Sequence, residues 1–335
     1  MEENIVDSDL AIIQYDPHVY ASIPITTSLE RFLELWLENR PTSTQETYKS
    51  DIYRFLLTLP DDLPLQRVTL DHVSNFAVSL GYLKETSKSR ILNSLKSMYT
   101  FGHKTGYLPA NVGAAIRLRK IERHLADRIM SEDDTLAIIR IEQDTRNHAL
   151  LRFLYSSGCR VSEACKLTWI DVKDRDHGQG QVRLDGKGDK ERYVLLPERV
   201  YGEIKELRSY SETRLDRSVT EDEPVFRSRK SSYNAHLDRK QVHIIVKTAA
   251  IKAGVQIYTS ERKRTNKETG NIDITSVVNS HVSPHFFRHA HISHSLDRKV
   301  PPHVIQATVG HSSLATTTDY AHARPDTSSA LELPA

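Results

Sequence analysis

Apolar residues recur through most of this chain at the three- and four-residue intervals of amphipathic helices. Leu29, Phe32, Leu33 and Trp36 form the first stripe, behind a capping box predicted from Thr27 and Glu30. A second box, Ser43 with Glu46, opens a helix whose apolar face holds Tyr48, Ile52, Phe55 and Leu56. Pro60 and Pro64 break the pattern. Thr69 then caps a helix to about Leu80, and a fourth runs from about Glu85 to His103, with Ile91, Leu92, Leu95 and Met98 facing a core. The spacing therefore predicts a small four-helix bundle over residues 25–116, after a poorly patterned tail at 1–24.

Turn-rich residues from Gly106 to Asn111 close that bundle, and a basic connector follows at 117–123. Helical spacing resumes at Ser131, whose SEDD start puts acids in the first turn, where the helix dipole favours them. NHALLRFLYSSGCRVSEACKLTW reads as a buried helix, a turn at Gly158 and a second helix that Arg160 begins. Period-two alternation appears in QVRLDGKGDKERYVLLP: Val182 and Leu184 run out, Gly186 to Asp189 turn, and Tyr193 to Leu196 return. Helices are expected near 198–210 and 238–253, and a second hairpin turning at Thr269-Gly270-Asn271. The fold class is thus mainly α with a small β-sheet, an α+β arrangement.

Residues 281–322 predict three short helices. Ser283-Pro284 starts one, Pro301-Pro302 opens a second that stops at Gly310, and Ser312 caps a third carrying Tyr320. His285 and Arg288, three apart, share one helical face, while His311 and Tyr320 flank the last helix start. A guanidinium, two imidazoles and a phenol suit a phosphodiester better than a carbonyl or a sugar.

Composition narrows the setting. At 335 residues two domains are expected, and 27% charged residues argue for a chain in water. No apolar run approaches the roughly 18 residues of a membrane span, and the acidic N-terminus lacks the features of a secretory signal. Cys159 and Cys165, placed in one predicted helix, point apart; they build no disulfide framework and suit a reducing interior. The net charge of +2 conceals an asymmetry: residues 1–30 carry six acids and no Lys or Arg, leaving about +8 on the remainder. That is a plausible charge for a DNA-binding body, and equally for an ordinary solvated surface.

Each candidate has an ordinary structural explanation when taken alone. A helical tyrosine usually packs, an arginine at a helix start usually pairs with an acid, and GKGDK around Lys187 lacks P-loop spacing. His281, His285 and His289 recur every four residues as zinc ligands do, but no cysteine or HExxH element accompanies them. It is the ordered set that carries information. GCRVSEACKLTW, LDGKGDKERYVLLP, PHFFRHAHISH, VGHSS and TTTDYAH, with Tyr320 nine residues after His311, resemble the tyrosine recombinases of the phage integrase family, in particular the Xer-like, simple core-type integrases. The resemblance covers about residues 25–322, with Phe287 and Val309 standing where the family usually has leucine.

The resemblance implies a helical core-binding domain (25–116) and a catalytic domain (124–335) closing as a C-shaped clamp on double-stranded DNA. It implies Tyr320 as nucleophile, forming a 3′-phosphotyrosyl intermediate, with Arg160, Arg288 and His311 on the phosphate. Lys187 would be the general acid, His285 the base-side histidine and Glu163 a supporting acid. No cofactor and no metal are required. The expected partners are an inverted-repeat core site and further copies of the chain, two on a site and four in synapsis, or a paired recombinase. No membrane is expected, and the location is cytoplasmic, at the nucleoid. Candidate DNA contacts are Lys88, Arg90, Lys96, Arg117, Arg119, Lys120, Arg262, Lys263 and Arg264. The alternatives are a non-catalytic DNA-binding accessory of the same fold and a type IB topoisomerase-like activity.

Overall fold

The computed structural model describes residues 24, 26–119, 125–186, 191–229, 236–265 and 272–323, those at 262–265, 272–274 and 321–323 by backbone only. The chain divides into two compact units, Met1–Arg123 and His124–Ala335. The first holds helices α1 (Leu29–Leu37), α2 (Thr42–Leu56), α3 (Leu70–Ser79) and α4 (Glu85–Lys104). Their apolar stripes meet in one core around Phe32, Trp36, Phe55, Phe76, Met98 and Tyr99. Burying each large aromatic contributes roughly 1.5–3 kcal/mol. Inside this core Asp51 is buried, accepting hydrogen bonds from the Ser94 hydroxyl at 2.8 Å and from the Arg90 guanidinium.

Two of the expected caps shift. Ser28, not Thr27, caps α1, accepting from the Arg31 N–H. Helix α2 begins at Thr42 behind Pro41, whose carbonyl takes the Thr44 and Gln45 N–H groups, so Ser43 already lies inside the helix and caps nothing. Thr69 and Glu85 do stand where their helices begin.

The second unit is built on α6 (Thr145–Ser157), buried along most of its length and packed against α5 (Glu132–Ile141), α8 (Glu198–Leu215) and α10 (Pro284–Asp297). Short α7 (Val161–Lys166) leads into an antiparallel sheet, β1 (Val172–Asp174), β2 (Gly180–Asp185) and β3 (Glu191–Leu196), in that spatial order. Strand β1, three residues long, is too short to show alternation in the sequence. In the β2–β3 register Val182 faces Val194 and Leu184 faces Arg192, which puts Arg192 on the inward face. Helix α9 (Arg239–Lys252) precedes a nine-residue ribbon, β4 (Ile257–Thr265) with β5 (Ile272–Ser280). Helices α11 (Pro302–Val309) and α12 (Ala315–Ala323) complete the unit.

Cys159 and Cys165 are both free and buried, but they do not share a helix: Cys159 precedes the start of α7. Gly158 explains that break. It ends α6 at φ +58°, and a Cβ there would lie 2.6 Å from the His291 ring and 2.9 Å from Val309. The backbone must be left-handed and bare for α10 and α11 to close over the end of α6. Helix α11 likewise ends at Gly310 with φ +68°. Helix α12 starts three residues beyond Ser312, its first turn resting on the Ser313 and Leu314 carbonyls.

Candidate active site

Four segments converge inside the second unit: the start of α7, the first turns of α10, the residues after α11, and α12. Arg160, at the N-cap of α7, donates from its backbone N–H and Nη1 to Glu163 at 2.7 and 2.9 Å, and from Nη2 to the Gly310 carbonyl at 3.3 Å. Arg288, on the first turns of α10, is 2% exposed and donates Nη1 to the Gly158 carbonyl at 2.7 Å, while its Nη2 is buried with no partner among the described residues. Desolvation, then the Arg160 charge, pushes the Arg288 guanidinium down to about 10. It stays charged at neutral pH, with an unused donor.

Tyr320, on α12, is buried against Ile129, Ile292, Ile305 and Val309. Burial pushes its phenol up to about 12, so at neutral pH it is protonated, and its hydroxyl shares a hydrogen bond of 2.6 Å with His289 Nδ1. Burial, followed by the nearby His285, Arg128 and Arg288, pushes His289 down to about 3, which keeps the ring neutral. His311 Nδ1 lies 2.9 Å from the Thr317 hydroxyl, and its ring stacks at 6.4 Å from that of Tyr320. Burial and then Arg288 and Arg160 push His311 down to about 4.

His285 stands one helical turn before His289, ring edge to face at 4.4 Å. Desolvation, then Arg288, Arg128 and Arg160, hold it below the ordinary histidine value. It lines a cleft of ≈ 500 Å³ with Arg128, Gln256, His281, Ser283 and His289. His289, not His285, touches the phenol. The sequence motif PHFFRHAHISH contains both, and only the packing of α12 decides between them.

Glu163 is buried beneath the arginines. Burial alone would raise its carboxyl, but hydrogen bonds from Arg192 and the Arg160 N–H win and hold it below the usual carboxylate range. Arg192, which the sequence reading did not single out, approaches through Nη1 and Nη2 at 3.0 and 2.8 Å. Its signal was present: a charged residue at an inward position of a strand whose other inward residues are Val194 and Leu196.

The structure therefore brings together Arg160, Glu163, Arg288, His311 and Tyr320, with His285 at the mouth of the adjoining cleft. Lys187 falls in the turn between β2 and β3, outside the described residues. Among the candidate DNA contacts, Arg117 and Arg119 are exposed and Lys88 is half-buried. Arg90 pairs with buried Asp51, and Lys96 donates to the Ile116 carbonyl at 3.1 Å, so both are tied into the bundle. Arg262, Lys263 and Arg264 lie on β4, where the backbone alone is described, and Lys120 is outside the described residues.

The histidine ladder that invited a zinc reading is otherwise employed. His281 stacks on Tyr258, His291 bonds the Tyr155 carbonyl, and His294 lies between the Tyr155 hydroxyl and the Met130 carbonyl. Among the described residues no group of three or more His, Cys, Asp or Glu is placed to hold a metal ion. No helix among them is long and apolar enough to cross a membrane.

Known proteins resemble this chain in sequence and in fold. The pattern of the phage integrase family matches residues 120–326. Tyrosine recombinase XerC of Corynebacterium glutamicum is 30% identical over 289 residues, 84% of this chain and 82% of that protein. Tyrosine recombinase XerD of Yersinia pestis is 29% identical over 304 residues, 88% of this chain and 92% of that one. Among solved structures, a lambda integrase dimer bound to a COC′ core site superposes with a TM-score of 0.65 at 15% identity, covering 90% of this chain and 96% of that one. The XerH site-specific recombinase bound to difH substrate gives 0.62 at 19% identity, covering 91% and 83%. The family match and the tyrosine recombinases that resemble the chain define its class as enzymes that break and rejoin DNA. The chain belongs to the phage integrase family and is a tyrosine recombinase, an enzyme of site-specific DNA recombination.

Proposed function

We propose that this recombinase cuts its DNA with Tyr320, the observation that carries the proposal being the phenol held by His289 beside the Arg288 donor that has no partner among the described residues. The phenolic oxygen attacks the scissile phosphorus, the 5′ oxygen leaves, and the strand is held as a 3′-phosphotyrosyl ester. Attack of a 5′ hydroxyl on that ester reverses the step and frees the tyrosine, so bond energy is kept and no nucleotide hydrolysis is needed.

Charge accumulates on the two non-bridging oxygens in the transition state. Arg288 Nη2 and the outer face of Arg160 supply forked, permanently charged donors there, and His311 supplies a further N–H. Removing one such donor costs about 2.7–4 kcal/mol of transition-state stabilisation. Glu163 orients Arg160. Lys187 protonates the leaving 5′ oxygen. His289 orients the phenol, and His285, against its ring and facing the cleft, leads the released proton toward solvent.

The assignment extends to the rest of the chain. Residues 25–116 form a core-binding domain, 117–123 a basic linker and 124–335 the catalytic domain, the two domains closing as a clamp on duplex DNA. Two copies, or one copy and a paired recombinase, occupy an inverted-repeat site, and four make the synapse. Solved relatives include a lambda integrase tetramer bound to a Holliday junction, which supports this stoichiometry. The enzyme works at the nucleoid, and binding through Arg117, Arg119 and the other cations weakens steeply with salt.

Nicked suicide duplexes tiled from the DNA flanking the gene test the assignment. Wild type forms a protein–DNA adduct that survives denaturation, whereas Tyr320→Phe binds the same duplex with unchanged affinity and forms none. An adduct in Tyr320→Phe would show that another residue is the nucleophile. Sequence-independent relaxation of supercoils without a defined site would favour a topoisomerase instead.

A further inference from the structure

One side chain joins three of the segments that carry the proposed chemistry. Arg192 Nε donates to the Thr308 carbonyl at 2.7 Å, close to the end of α11 that delivers His311. Its two Nη groups grip both oxygens of Glu163, the carboxylate that also holds Arg160. Its own strand pairs with β2, and Lys187 lies in sequence between the two strands. The side chain is only 11% exposed. Gly310 packs flat against it: a Cβ there would lie 3.2 Å from Arg192 Cδ and Nη1.

Arg192 is also unlike its two neighbours. Arg288 keeps an unpartnered donor, and Arg160 is about one-third exposed. All three nitrogens of Arg192 are engaged by protein, with two parallel bonds to one carboxylate, the strongest geometry open to an arginine.

The geometry points to Arg192 as a positioning residue for strand cleavage: it locks the strand bearing the acid's hairpin, the Glu163 support of Arg160 and the approach to His311 into one rigid register, without touching DNA. This rests on the Tyr320 reading above. A lysine in its place can neutralise Glu163 but cannot reach both oxygens and Thr308 together.

The mechanism has a signature that packing alone lacks. Once Arg192 is gone, Glu163 keeps its burial and loses its main counter-charge, so its carboxyl takes up a proton at higher pH and lets go of Arg160. The experiment measures adduct formation on the nicked suicide duplex that wild type cleaves, from pH 5 to 9, with DNA affinity and melting temperature in parallel. Arg192→Gln should bind DNA within about threefold of wild type, cleave at least about 30-fold more slowly, and show the acid limb of its rate profile moved to higher pH. Glu163→Gln should be slow with no such limb, and the double variant no slower than the slower single one, because the two act as a unit.

Arg192→Gln cleaving within about threefold of wild type, or losses that multiply in the double variant, would overturn the proposal. Should Arg192→Gln fold poorly, Arg192→Lys decides. A loss of about tenfold at unchanged melting temperature with an unmoved acid limb supports the proposal, and a wild-type rate refutes it. Absence of any wild-type adduct would sink the Tyr320 assignment and this inference with it, whereas a wild-type adduct beside an unaffected Arg192→Gln removes this inference alone.

Discussion

Replacing Arg288 with methionine should make the enzyme at once slower and more stable. The side chain is 2% exposed, the Gly158 carbonyl is its hydrogen-bond partner among the described residues, and the attraction of Glu163 does not outweigh its desolvation. Its displacement from 12.5 to about 10 means that folding disfavours the charged form by roughly 3 kcal/mol. For a base whose folded value is depressed, that cost is fully present below pH 10 and is relieved as pH rises from the folded to the unfolded value. Methionine fills a similar volume with no charge to desolvate. It strands the Gly158 carbonyl, at about 1 kcal/mol, leaving a net gain of about 2 kcal/mol. For a unit of this size the melting temperature should rise by about 4–8 °C. Adduct formation should fall by about 10² to 10³-fold, the loss of one oxyanion donor. Calorimetry without DNA at pH 7 and the suicide-duplex assay read the two effects separately. A variant that melts below wild type would refute the account of Arg288 as stored instability, and an unimpaired cleavage rate would refute its place on the phosphate.

Two further outcomes follow from buried groups elsewhere. His289, His291 and His311 are pushed down to about 3, 4 and 4, chiefly by burial, so below pH 6.5 the unfolded chain takes up protons that the folded one refuses. Stability should therefore decline from pH 6.5 toward 4, by roughly 1.4 kcal/mol per pH unit for each histidine, before the carboxylates titrate; urea midpoints flat between pH 7 and 5 would contradict this. In the first unit Arg90→Ala should cost about 2–3 kcal/mol by stranding the buried Asp51 carboxylate, while Lys88→Ala should cost almost nothing. Trp36 fluorescence during urea unfolding reads both, and equal, small effects would mean that Arg90 is a surface charge.

The helices were legible because their stripes, caps and stops are local. Ser131, Ser283-Pro284 and Gly310 mark helix ends by their own chemistry, whatever lies beyond them. The identities in the site were legible as an ordered set of motifs. Which residue touches which was not. His289 meets Tyr320 across 31 positions and Arg192 meets Thr308 across 116, contacts that no periodicity encodes. Strand β1 and the extra turn of α8 beyond residue 210 were missed for a simpler reason. Three residues are too few for a pattern, and in α8 the run from Arg208 to Arg214 is too polar to carry the stripe from Leu207 to Leu215, which packs on the core just before Asp216 turns left-handed.

The bond between Tyr320 and His289 lies within one polypeptide. On the proposed assignment each subunit of an assembly carries its own attacking group alongside its own cationic cradle, and answers for the strand seated on it. A subunit lacking the phenol would then have nothing to borrow from a neighbour lacking the arginine, so mixing two such defective copies should restore no cutting, and a mixed assembly should break only those strands held by intact members.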